Sequence, residues 1–185
     1  MSQIRRGPEA GAEPVLDERG AAARAGVRVV EGGADGSGLT IAVVAARFHE
    51  QICERLLAGA LEGLAACRVP ADRVTVVRVP GAFELPLAAR RLAASGADAV
   101  ICLGVVIRGE TPHFDYVAGE AASGIARVAA DTGVPTLFGV LTVETEAQAL
   151  DRAGGRHGNK GQEAAEGAVR MANTIKALRT ALGAR

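Results

Sequence analysis

Residues 99–120 read Ala-Val-Ile-Cys-Leu-Gly-Val-Val-Ile-Arg-Gly-Glu-Thr-Pro-His-Phe-Asp-Tyr-Val-Ala-Gly-Glu. The first nine, Ala99 to Ile107, form an unbroken apolar run rich in Val and Ile, the pattern of a parallel strand buried on both faces. The run stops at Arg108-Gly109-Glu110. Thr111 fits a helix N-cap and Pro112 the first helical position, and apolar residues then recur at Val117, Ala121, Ile125 and Val128 with a helical period. The stretch therefore predicts a buried strand that hands the chain to a helix N-terminus. In open α/β sheets ligands bind at the carboxyl ends of the strands, and the free N–H groups of a helix start attract anions. His113 lies in that first turn, so it is a candidate for chemistry.

The same strand-then-helix unit recurs on both sides. Leu39 to Ala46 is a second buried strand, followed by a helix with Ile52, Leu56, Leu57, Ala60, Leu61 and Leu64 on one face. Phe48 stands at the carboxyl end of that strand. Val74 to Val79 is a third strand, and Pro80-Gly81-Ala82-Phe83-Glu84-Leu85-Pro86 follows it. Gly81 permits close backbone approach, Glu84 suits a helix start, and Pro86 is tolerated only in a first turn of a helix running to about Ser95. Pro135 to Thr142 gives a fourth strand with Phe138 in its middle. A short helix over 144–152, a glycine-rich loop over 154–161 and an amphipathic helix over 162–182 complete the chain. Because βαβ crossovers are right-handed and cover both faces of a parallel sheet, this order predicts an α/β fold. The fold expected is a flavodoxin-like three-layer αβα sandwich on a four-stranded parallel sheet.

Composition narrows the function. The 185 residues suit one domain, expected over 39–185. Residues 1–38, with Pro8, Pro14 and a Gly-Gly-Ala-Asp-Gly-Ser-Gly cluster, read as a mostly disordered arm. Within it Val27 to Val30 has the composition of a strand that could join a sheet edge, its own or a neighbour's. The 21 basic and 21 acidic residues balance, so nothing predicts a nucleic-acid groove or an anionic membrane surface as partner. Cys53, Cys67 and Cys102 are an odd set without CxxC spacing, and two of them fall at apolar helix or strand positions, which predicts reduced, buried thiols and a cytoplasmic setting. Neither a membrane-spanning run nor an export signal is evident. The three His and three Cys are scattered without ligand spacing, and no GxGxxG or GxxxxGK[ST] loop occurs, so neither a metal nor a nucleotide cofactor is expected.

The run Gly104 to Val117, together with the Phe48, Pro80–Pro86 and Arg152–Lys160 stretches in the same order, resembles the lumazine synthase family over roughly residues 39 to 182. The resemblance implies condensation of 5-amino-6-(D-ribitylamino)uracil with 3,4-dihydroxy-2-butanone 4-phosphate to 6,7-dimethyl-8-ribityllumazine, a step of riboflavin biosynthesis that needs no cofactor. It implies that Phe48 stacks on the pyrimidine and that Ala82, Phe83 and Glu84 hold the uracil and ribityl groups. It implies too that Val105, Val106 and Ile107 line the site at the strand end and that His113 moves protons. Glu110 and Thr111 are expected to offer phosphate their backbone N–H groups at the helix start, and the resemblance implies that Arg152 clamps it, that Lys160 lies near it and that Phe138 contacts the heterocycle. At residue 49 the family often has Asn where this chain has His, which leaves the role of His49 open. The family's sites are shared between neighbours in a homopentamer, and some members join twelve pentamers into a sixty-subunit icosahedral capsid. Gly155-Arg156-His157-Gly158-Asn159 resembles the compact link of the shell formers, which favours the shell, although a long arm could obstruct it. The alternatives are an archaeal-type riboflavin synthase, which Arg152 and the phosphate-site residues disfavour, and a non-catalytic flavin- or lumazine-binding scaffold.

Overall fold

The computed structural model describes residues 28–183; the first 27 residues, and with them most of the predicted arm, lie outside the described residues. Glu31–Arg185 forms the unit described below. Its elements are β1 (Ile41–Ala46), α1 (Glu50–Ala66), β2 (Val74–Val79), α2 (Leu85–Ala94), β3 (Ala99–Ile107), α3 (His113–Thr132), β4 (Thr136–Val143), α4 (Glu146–Arg152), a hairpin of β5 (Ala153–Gly155) and β6 (Gly158–Asn159), and α5 (Lys160–Leu182). The main sheet is four-stranded in the order β2-β1-β3-β4, all parallel. Helices α2 and α3 pack together, as do α1 and α5. This is the flavodoxin-like three-layer sandwich.

Position in the sheet explains the burial of each strand. The inner strands β1 and β3 are covered on both faces and are buried throughout except at Ile107, whereas the edge strands β2 and β4 expose residues such as Thr75 and Phe138. The apolar runs that predicted buried strands are thus the two central ones. The thiols lie in this core. Burial pushes Cys53 up to about 11, with Arg78 opposing it, and Cys102 up to about 12, so at neutral pH both stay protonated and behave as small hydrophobes.

Several local expectations shift. Residues 31–38, read as part of the arm, are tied to the domain: Gly32 N–H donates to Thr174 Oγ1 at 2.9 Å, Asn173 Nδ2 donates to the carbonyls of Gly33 and Asp35, and Gly36 N–H donates to the Cys67 carbonyl. Composition predicted a loose segment there, but long-range hydrogen bonds to α5 and to the end of α1 hold it. Of the suggested strand 27–30, Val27 is outside the described residues and 28–30 forms no strand in this chain. The predicted loop 154–161 is the β5–β6 hairpin running into α5. Asn159 explains the early helix start, since its Oδ1 accepts from Gly161 N–H at 2.8 Å and its Nδ2 donates to the Arg55 carbonyl at 2.9 Å, capping α5 and pinning it to α1.

The α1–α5 crossing is close. A Cβ added at Gly161 would stand 1.9 Å from the Leu56 carbonyl oxygen, a backbone atom that cannot swing aside. Gly161→Ala is therefore expected to destabilise the fold by at least the roughly 1–3 kcal/mol typical of overpacking. Thermal unfolding of the two proteins side by side checks this, and equal midpoints would show that the helices separate freely.

Candidate active site

The carboxyl ends of β1, β2 and β3 open into a cleft of about 480 Å³. Its walls include Phe48 and His49 after β1, Gly81 to Glu84 after β2, Val105 to Ile107 at the end of β3, and His113 on α3. Consecutive residues of β3 all reach it because the cleft lies across the strand ends rather than on one face of the sheet. Eight of the predicted site residues, Phe48, Ala82, Phe83, Glu84, Val105, Val106, Ile107 and His113, are thus brought together from four separate stretches.

Phe48 has a fixed backbone and an exposed ring. Its N–H donates to the Pro80 carbonyl at 2.9 Å, and its own carbonyl accepts from the Cys53 thiol at 3.2 Å, while the side chain is 66% exposed. The ring packs so near Gly81 that a Cβ there would meet it at 2.7 Å. Glu84 is oriented by the same turn, with Oε2 accepting from Gly81 N–H at 2.9 Å. His49 follows in the left-handed region, φ 57° and ψ 53°, at the N-cap of α1. Few residues other than Gly adopt that conformation readily, and Asn and His are among those enriched in it.

A second cleft, of about 390 Å³, runs along β4 and the start of α5. Leu137 to Val143, Arg152, Lys160, Glu163 and Ala164 line it, so Phe138, Arg152 and Lys160 meet here. The two clefts share no residue. Lys160 Nζ pairs with Glu163 at 2.6 Å, whereas Arg152 makes no ion pair among the described residues and spends Nη1 on the Gln148 carbonyl at 3.0 Å. The second cleft is therefore cationic, with one guanidinium uncommitted to any carboxylate among the described residues.

Glu110 and Thr111 line neither cleft and sit exposed in the β3–α3 connection. Thr111 is not the N-cap predicted for it. Pro112, with φ −62° and ψ −4°, takes that place, no side chain caps the helix, and α3 begins at His113. The missing N–H and fixed φ that suit proline to a first helical position suit it equally one residue earlier. Sequence reasoning missed Tyr116 and Val117 in the first cleft and Glu163 in the second. The spacing held the signal, because residues three and four positions after His113 share its helix face, as Glu163 shares that of Lys160.

Four of the five aromatic side chains, Phe48, Phe83, Tyr116 and Phe138, are between 45% and 70% exposed and all line these clefts. In a chain so poor in aromatics, that placement puts most of its aromatic side chains in the clefts rather than in the core. A family model described as 6,7-dimethyl-8-ribityllumazine synthase matches residues 38–176. The chain belongs to that family. The lumazine synthase match takes in both clefts and the hairpin between α4 and α5, and leaves residues 1–37 and 177–185 outside. Among the described residues of this family member, no helix is long and apolar enough to cross a membrane, and no group of His, Cys, Asp and Glu could hold a metal ion.

Proposed function

We propose that the protein condenses 5-amino-6-(D-ribitylamino)uracil with 3,4-dihydroxy-2-butanone 4-phosphate, releasing phosphate and water to form 6,7-dimethyl-8-ribityllumazine. The observation that carries this reading is the division of labour between the clefts: aromatic rings, a carboxylate and an imidazole in one, uncommitted positive charge in the other. An amine must attack a ketone, phosphate must leave, and a second amine must close the ring. Such a sequence requires two aligned substrates, a proton carrier and an anion clamp.

In this reading Phe48 stacks on the pyrimidine, the Ala82–Phe83 backbone and Glu84 bind its polar edge and the ribityl hydroxyls, and His113 moves the protons. The backbone N–H groups of Glu110 and Thr111 make no hydrogen bond among the described residues and are available to phosphate oxygens. The clefts of one chain are separate, so the complete site forms where the first cleft of one subunit faces the second cleft of its neighbour. Repeated head-to-tail contact of this kind closes into a ring, here a pentamer. The decisive assay mixes purified protein with both substrates and follows lumazine absorbance. Absence of product from folded, assembled protein would overturn the reading.

Two further results are expected. Arg152→Ala should weaken the phosphosugar about ten- to a hundredfold, the worth of a lost charged hydrogen bond, and leave the ribityl-uracil nearly untouched. Calorimetric titration with each substrate separates this from a general defect, which would weaken both. Sedimentation of the untagged protein should show the pentamer or its twelvefold assembly into a shell, the latter favoured by the compact link Gly155–Asn159; a stable, active monomer would exclude the shared site.

A further inference from the structure

We propose that Arg108 is the positioning residue for His113, holding the first turn of α3 so that the imidazole meets the reacting atoms. The inference rests on the function proposed above. Between Ile107 and His113 the chain crosses five irregular residues, α3 has no side-chain cap, and Pro112 supplies no N–H. Besides the ladder of α3 itself, the turn is closed within the backbone by a hydrogen bond from Asp115 N–H to the Pro112 carbonyl at 3.0 Å. None of these contacts ties the turn to the sheet, and a side chain anchored there would fix its direction.

Arg108 is built to do so. Its own backbone is an extension of the sheet, with its N–H donating to the Val143 carbonyl at 2.9 Å. From that fixed point the side chain reaches both residues that follow His113. Its guanidinium carbon lies 4.0 Å from the centroid of the Phe114 ring, and Nη1 donates to Asp115 Oδ1 at 3.3 Å. On its other side Nε pairs with the Glu144 carboxylate at 3.0 Å, and Glu144 is itself held through its N–H to Gln148 Oε1 at 2.9 Å. One guanidinium thus sits over the ring and donates in two directions from separate nitrogens. An ammonium cannot do this.

Magnitudes separate positioning from stability. Arg108 is 40% exposed, and exposed ion pairs contribute little to folding. A catalytic group displaced by about 1 Å, by contrast, can cost about a hundredfold in rate. Removal of Arg108 should therefore spare the fold and damage turnover.

The test compares the parent protein, Arg108→Met, His113→Ala and the double variant. Arg108→Met is expected to lower kcat at least about tenfold, with KM for both substrates within about twofold, and Arg108→Lys to restore only part of the loss. In the His113→Ala background the same change should cost nothing further, because a residue acting through His113 has nothing left to position. An equal loss in both backgrounds, or a parental kcat in Arg108→Met, would overturn the proposal. Hydrogen exchange of peptides covering 108–120 supplies a readout independent of activity. Faster exchange there in Arg108→Met, with α5 unchanged, is expected; exchange identical to the parent overturns the positioning role. Faster exchange in Arg108→Met, together with a folded parent that forms no lumazine, would instead refute the proposed reaction.

Discussion

Replacing His113 with alanine is expected to lower kcat about a hundredfold or more, the lower part of the range that a positioned acid–base group supplies, without unfolding the protein. His113 is exposed at the first residue of α3, and its side chain makes no hydrogen bond among the described residues. Its removal therefore leaves neither a cavity nor an orphaned polar group, the two usual sources of a large stability loss. The loss should appear in kcat more than in KM, since a proton carrier acts as bonds change rather than as the substrate docks. Steady-state rates at saturating substrate, with circular dichroism to confirm the fold, decide the matter. An unchanged kcat would remove His113 from the chemistry and leave Glu84 as the titratable carboxylate lining the same cleft.

The second large effect is expected from mixing two damaged proteins. If each site takes its first cleft from one subunit and its second from the next, subunits carrying His113→Ala and subunits carrying Arg152→Ala fail separately. Co-assembled at random, they regenerate intact sites. Half of the first clefts and half of the second clefts are sound in an equal mixture, so about a quarter of the sites recover, far above the His113→Ala background. The assay is run with the phosphosugar well below saturation, so that the Arg152 defect is expressed. Dissociating the two variants, recombining them and measuring lumazine formation gives the result. Activity that stays at the average of the separate variants would mean that each chain builds its own site, contrary to the separation of the clefts in one subunit.

The layered architecture was legible in the sequence because each element carries its own local signal. Nine consecutive apolar residues at Ala99–Ile107, rich in Val and Ile and short for a helix, fit a strand covered on both faces, and the 3.6-residue period after His113 fits a helix buried on one side. The residues that gather at the strand ends were legible for a related reason: in a parallel sheet every strand points the same way, so Phe48, Glu84 and His113, each just past a strand, must emerge at one rim. Tertiary structure alone decided the rest. Composition marked 31–38 as loose, but Thr174 and Asn173, some 140 positions away, supply the hydrogen bonds that fix it. A glycine-rich run looked like a loop until Asn159 met the Arg55 carbonyl and started α5 early. The separation of the two clefts, and the contact of Arg108 with Glu144 thirty-six residues on, likewise depend on which strands become neighbours. Sequence periodicity reports what an element buries; which distant groups it meets is set by packing, and here those meetings place the cations apart from the imidazole.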